Sequence, residues 1–136
     1  QSVEAGDFEI PDQNAITRSD AREREVRVIK RNSSAFLNFY NPASGQFLLT
    51  IRAVNDDPPP VEINVTVNGQ ETLFFSFDEG DNNWAEQTSP LFLGFGGHTL
   101  AVSFINDFFE TSDSDKIVRD RNLYFAWIKL ERIARN

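Results

Sequence analysis

Residues 61–68 read Val-Glu-Ile-Asn-Val-Thr-Val-Asn, and a glycine follows. Val61, Ile63, Val65 and Val67 fall on one side of an extended chain, with Glu62, Asn64, Thr66 and Asn68 on the other. Strict period two with β-branched residues specifies a strand with one buried face, and it denies a helix its 3.6-residue stripe. Asn68-Gly69 is the dipeptide that tight hairpin turns prefer, because both positions tolerate positive φ. Glu71-Thr-Leu-Phe-Phe-Ser-Phe77 then supplies the returning strand. Antiparallel pairing of 61–68 with 71–77 is therefore built into a short stretch of sequence, and the rest of the fold must accommodate it.

The remainder reads the same way. Residues 46–54 place Phe47, Leu49, Ile51 and Ala53 on one face, and 98–105, after Gly96-Gly97, place Leu100, Val102 and Phe104 on one face. Residues 122–133 form a long closing strand. Weaker patterns at 3–8, 25–30, 35–40 and 90–95 bring the expected number to about nine antiparallel strands. Short strands separated by turn residues predict an all-β sandwich of the jelly-roll kind. Only residues 18–25 suggest a helix, with Ser19 as an N-cap, and without an apolar stripe a polar loop serves equally well. Pro58-Pro59-Pro60 stiffens a loop and interrupts no domain. The 136 residues are expected to form one domain, 1–136, with a core of its own. Asn32-Ser33-Ser34 and Asn64-Val65-Thr66 match the N-glycosylation triplet, which is frequent by chance.

A net charge of -8 disfavours phosphate-rich partners, so neither nucleic acid nor an anionic membrane is expected. No apolar run approaches the ~18 residues of a membrane-spanning helix. Without cysteine there are no disulfides, thiol nucleophiles or thiolate metal sites. The sequence opens at Gln1 with no leader-like run, as expected if something upstream has been removed.

The stretch between Phe104 and Leu123 concentrates oxygen donors: Asp107, Glu110, Asp113, Asp115 and Asp120, with Asn106 and Asn122 as neutral ones. Lys116, Arg119 and Arg121 balance them in part. Hard oxygen ligands on a loop suit Ca²⁺. Zn²⁺ is excluded for want of imidazoles and thiols, His98 being the single histidine. The carboxylate spacing is not that of an EF-hand loop. A solvated acidic loop, with Asp and Asn as turn formers, is the plainer reading of the same composition.

Phe104-Ile-Asn-Asp-Phe-Phe109, a variable loop, and Asp120-Arg-Asn-Leu-Tyr-Phe-Ala-Trp-Ile-Lys-Leu130 together resemble the C-terminal signature of calcium-dependent xylan-binding carbohydrate-binding modules, families thirty-six and sixty. A related domain of multi-domain bacterial cytochrome-like proteins carries a similar pattern. Val3-Glu-Ala-Gly-Asp-Phe8 and Ser44-Gly-Gln-Phe-Leu-Leu-Thr-Ile-Arg-Ala53 are similar to the opening and an inner strand of such sandwiches. The resemblance implies one loop Ca²⁺ that takes two neighbouring sugar hydroxyls into its coordination shell. It implies Asp107 and Asp120 as carboxylate ligands, backbone carbonyls near Phe109 and Arg119 completing the shell, and Asn122 as a further ligand or a loop cap. Asp113 and Asp115 fall in an insertion. Related sandwiches hold a second, structural Ca²⁺ between an N-terminal Glu-Ala-Glu and a last-strand Asp. Gly6 and Ala126 stand at two of those positions, so this second metal is expected to be absent, with apolar packing from Ala126 and Ile128 or a hydrogen bond to Glu4 in its place.

Trp84, in a polar stretch, and Tyr40, at a strand end, are candidate stacking platforms for a sugar, or else cover the core edge. Trp127, read as alternating with Leu123 and Phe125, is expected in the core. His98 has no nucleophile motif near it and is expected to pack or cap. No carboxylate pair stands apart from the loop cluster as a glycosidase pair would, and no enzymatic activity is expected. The expected function is non-catalytic, Ca²⁺-dependent binding of a xylan-like polysaccharide by a secreted or periplasmic module, as a monomer or as part of a larger chain. The alternative is a structural or protein-interaction domain of a larger secreted, cytochrome-associated protein, with no glycan ligand.

Overall fold

The computed structural model describes the backbone of residues 2–4, 15–20, 23–29, 34–55, 60–78, 84–106, 108–111, 117–121 and 123–133, and side chains within 34–54, 60–70, 73–78, 84–106 and 123–133. Every regular element among them is a strand: β1 (Ser2–Glu4), β2 (Ala15–Asp20), β3 (Glu23–Ile29), β4 (Ser34–Asn41), β5 (Gly45–Asn55), β6 (Val61–Val67), β7 (Gln70–Phe77), β8 (Ala85–Leu93), β9 (Gly96–Phe104), β10 (Phe108–Thr111), β11 (Ile117–Arg121) and β12 (Leu123–Arg132). One sheet runs β2-β3-β12-β5-β8, and β1 also pairs with β12. The other runs β4-β9-β6-β7, while β10 and β11 pair with each other. All pairings are antiparallel, as the alternating sequence requires.

The two sheets bury their apolar rows against each other. Phe77, Phe104, Phe125, Leu49, Ile51, Ile63, Leu93, Leu100, Leu123 and Ile128 are the largest fully buried side chains. Each such side chain contributes about 1.5–3 kcal/mol on removal from water. The hairpin foreseen at Asn68-Gly69 is present, with φ of 57° and 79°, the two positive values that a primed turn needs.

Three elements differ from the sequence reading. The described residues of the helix candidate 18–25, namely 18–20 and 23–25, are strand: they form the end of β2 and the start of β3, which pair antiparallel with a register shift between Arg18 and Asp20. Part of the acidic stretch is likewise a short strand pair, β10–β11, and not loop throughout. With β2, these raise the expected nine strands to twelve among the described residues.

The third difference is Trp127. On β12 the register against β5 slips between Phe125 and Trp127, so Ala126 is an extra residue, a β-bulge. The bulge inverts the phase of the strand. Leu123, Phe125 and Ala126 are buried before it, and Ile128 after it. Trp127, predicted to be core, is half-buried on the outer face opposite Arg52. The same place receives β1, with Val3 opposite Ile128 and Glu4 opposite Trp127. Ala126 and Ile128 have no exposed surface, which is the apolar packing expected where related sandwiches carry a last-strand carboxylate. Gly6 lies outside the described residues.

Candidate functional site

The chain leaves β9 at Phe104 and enters β12 at Leu123, and the intervening segment is anchored by an asparagine. Ile105 N–H still donates to Glu62 O at 3.1 Å, as a ladder bond would. Beyond it, the Asn106 side chain takes over from the backbone: its Oδ1 accepts from Glu62 N–H at 2.8 Å, and its Nδ2 donates to Pro60 O at 3.0 Å. One side-chain amide thereby satisfies two backbone groups at the start of β6, groups that are costly to leave unpaired. Asn106, considered above as a neutral oxygen donor, holds the first residue of the segment in place.

Beyond Asn106 the hairpin register sets Phe109 opposite Asp120, Glu110 opposite Arg119 and Phe108 opposite Arg121. Directly opposed Cα atoms in an antiparallel pair lie about 4.5–5.5 Å apart. Three of the five candidate metal-site residues, Phe109, Arg119 and Asp120, therefore occupy one end of one small hairpin. Asp107 and Asn122 lie outside the described residues, immediately before β10 and after β11. The five candidates, taken with Phe109 and Arg119 as backbone carbonyls, would offer oxygen donors alone, as Ca²⁺ prefers. Among the residues with described side chains, no three His, Asp or Glu gather.

The two aromatic candidates part company. Trp84 precedes β8, whose first residue pairs with Ala53 of β5, and Asn55 of β5 pairs with Leu123. Trp84 thus sits at the end of the sandwich from which β12 departs. It is half-buried, with the Arg52 guanidinium 5.6 Å from its ring centroid, and Arg52 is also tied to Glu86 at 3.2 Å. Tyr40 is at the far end. It pairs with Gly97, seven residues before Phe104 along β9, a separation of about 23 Å at strand rise. Tyr40 is 63% exposed and meets Phe95 edge-on at 5.7 Å.

His98 plays the capping part expected of it. Thr99 N–H donates to Asn68 Oδ1 at 3.0 Å, which fixes the amide and aims Nδ2 at His98 Nδ1, 2.9 Å away. The imidazole then carries its proton on Nε2 and donates to Gly94 O at 2.7 Å. Its ring packs on Phe39. Asn38, Phe39, Asn68, Gly97, His98 and Thr99 line a shallow cavity of about 250 Å³ there, and its polar groups are bonded to one another.

Residues 48–134 match the family CBM60, described as a Ca-dependent, xylan-binding carbohydrate-binding module. Comparison with curated proteins gives no significant match. Among solved structures, the CBM36-1 domain of a multidomain xylanase from the hindgut metagenome of Trinervitermes trinervoides superposes with a TM-score of 0.76 at 14% identity, covering 99% of this chain and 98% of that one. A CBM36 module in complex with calcium and xylotriose gives 0.74 at 16% identity, covering 96% and 99%. A family 35 module from Clostridium thermocellum gives 0.72 at 19% identity, covering 98% and 99%. At these identities the structural matches establish the β-sandwich jelly roll, the fold expected from the sequence.

Proposed function

The chain belongs to the Ca-dependent, xylan-binding carbohydrate-binding modules of family CBM60, and on that premise we propose that it binds xylan without cleaving it, through a calcium ion held at the β10–β11 hairpin. The observation that carries the site is the hairpin register, which sets Phe109 opposite Asp120 at the end of a segment whose start is pinned by Asn106. In this reading Asp107 and Asp120 supply carboxylate oxygens, and Phe109 and Arg119 supply backbone carbonyls. Asn122 closes the shell or caps the loop. Bound Ca²⁺ would supply coordination positions for two neighbouring sugar hydroxyls, and so select sugars by the arrangement of those hydroxyls. Of the two aromatic candidates, Trp84 lies at this end of the fold and can offer the ring face not covered by Arg52. The chain acts as one module, secreted or periplasmic, alone or within a larger protein. The family match favours this reading over a structural domain with no glycan ligand.

Calorimetry on metal-stripped protein tests it. Ca²⁺ should bind at a single site, and xylotriose or soluble xylan should bind only in its presence. Asp120→Ala should abolish both while the far-ultraviolet dichroism stays that of the wild type, because the buried rows and not the hairpin hold the sandwich together. Xylan binding that persists unchanged in chelator would overturn the metal site and shift attention to Trp84.

A further inference from the structure

We propose that the outer face of the β4-β9-β6-β7 sheet carries an accessory subsite that extends the calcium site along the same polysaccharide and adds to its affinity only when that site is filled, with Phe74 stacking on a sugar ring; the inference rests on the xylan-binding reading above. Phe74 lies on the solvent side of β7, between the buried Leu73 and Phe75, and is 54% exposed. The register sets it in a row with Asn64, Ser103 and Ser34 across the four strands. Ser34 and Ser103 share a hydrogen bond of 2.7 Å. The next row toward the acidic hairpin is Glu62 opposite Ser76, and beyond it on the same edge comes the exposed Asp78, within 3.4 Å of Ser76 Oγ. An aromatic ring bordered by amide, hydroxyl and carboxylate groups presents what a pyranose needs: an apolar surface for its C–H face and partners for its hydroxyls.

Two further observations point to this occupant. Asn64 Oδ1 is buried in the row beside Phe74 and has no hydrogen-bond partner among the described residues. Such an acceptor is costly to leave unpaired, and rotation of the amide would bring it to a sugar hydroxyl. The face is also continuous with the proposed calcium site. Glu62, two residues from Asn64, is the residue whose backbone N–H is held by Asn106. A polysaccharide fixed at the hairpin by one sugar has further sugars to place, and this face is the adjoining surface with an exposed aromatic ring. Phe36, 38% exposed, lies further along the same face on β4.

The test compares xylohexaose with xylotriose in saturating Ca²⁺, using wild type, Phe74→Ala and Phe74→Tyr. Wild type should bind the hexaose more tightly than the triose. Phe74→Ala should weaken hexaose binding by roughly three- to tenfold, the range of an aromatic stacking contact, and leave triose and Ca²⁺ binding unchanged. Phe74→Tyr, which keeps the ring, should retain the hexaose advantage. Equal affinity of wild type for both sugars, or an advantage that survives Phe74→Ala, would overturn the subsite and leave the calcium site standing. A parallel loss of triose binding in Phe74→Ala would also overturn it, since Phe74 would then act through the fold. No binding of either sugar by wild type would remove the xylan reading and this subsite with it.

Discussion

The two ends of the sandwich use asparagine in opposite ways. At the turn end, Asn68, His98, Thr99 and Asn38 spend their polar atoms on one another and on Gly94 O. Asn41, 3% exposed, donates to both Leu93 O and Gly94 O. At the hairpin end, Asn106 spends its amide on the backbone of β6, at the start of the segment proposed to hold calcium. One end closes its polar groups on one another, and at the other an amide stands in for backbone beside the proposed ligands. A cavity with polar lining is therefore a poor guide here: the cavity at His98 is concave and polar, yet its hydrogen bonds already close on themselves.

That contrast can be attacked from both sides. The largest effect is expected from Asn106→Ala. It leaves Glu62 N–H and Pro60 O unpaired at a cost of about 1–3 kcal/mol, and it should also weaken Ca²⁺ binding by about 10–100-fold, as loss of a ligand-orienting contact does. Thermal melting with and without Ca²⁺ measures both; a variant that loses stability but keeps full Ca²⁺ affinity would dissolve the distinction between the ends. Asn41→Ala should cost a similar 1–3 kcal/mol, since its partners Leu93 O and Gly94 O lie at a buried site, with Ca²⁺ affinity unchanged in titration. His98→Ala should do least, about 0.5–1.5 kcal/mol for partly exposed hydrogen bonds. Xylotriose affinity altered by either turn-end variant would show that the two ends communicate.

Much of this architecture is legible in the residues. The Asn68-Gly69 turn and the alternating rows of β5, β6 and β9 follow from period and turn chemistry alone. The bulge on β12 leaves a trace too: its core positions are 123, 125, 128 and 130, a spacing of two, three, two that marks a break in phase. Trp127 is misplaced by any reading that assumes the phase is kept. The strand β2 is hidden because Ala-Ile-Thr-Arg-Ser-Asp has no apolar alternation, and pairing with β3 at the sheet's edge supplies what its side chains do not. Asn106 is the hardest to foresee. Its role depends on Pro60 and Glu62, more than forty residues away in sequence, and no local pattern records that a side chain will stand in for backbone. The candidate ligands at 107, 109, 119, 120 and 122 came from a resemblance, to which the structure adds the pairing of three of them.

The last long strand occupies the middle of its sheet. Among the described residues, β1 and the β2–β3 pair join the β5–β8 pair only through β12. During synthesis the β4-β9-β6-β7 sheet has all its strands once residue 104 has emerged, whereas its partner still lacks its centre. Until residues 123–132 leave the ribosome, β3 and β5 each present an unpaired edge, the kind of surface on which nascent chains associate wrongly. Vectorial folding of this chain is thus gated by its final strand. A premature stop before residue 123 would release a chain with one sheet divided into two open halves.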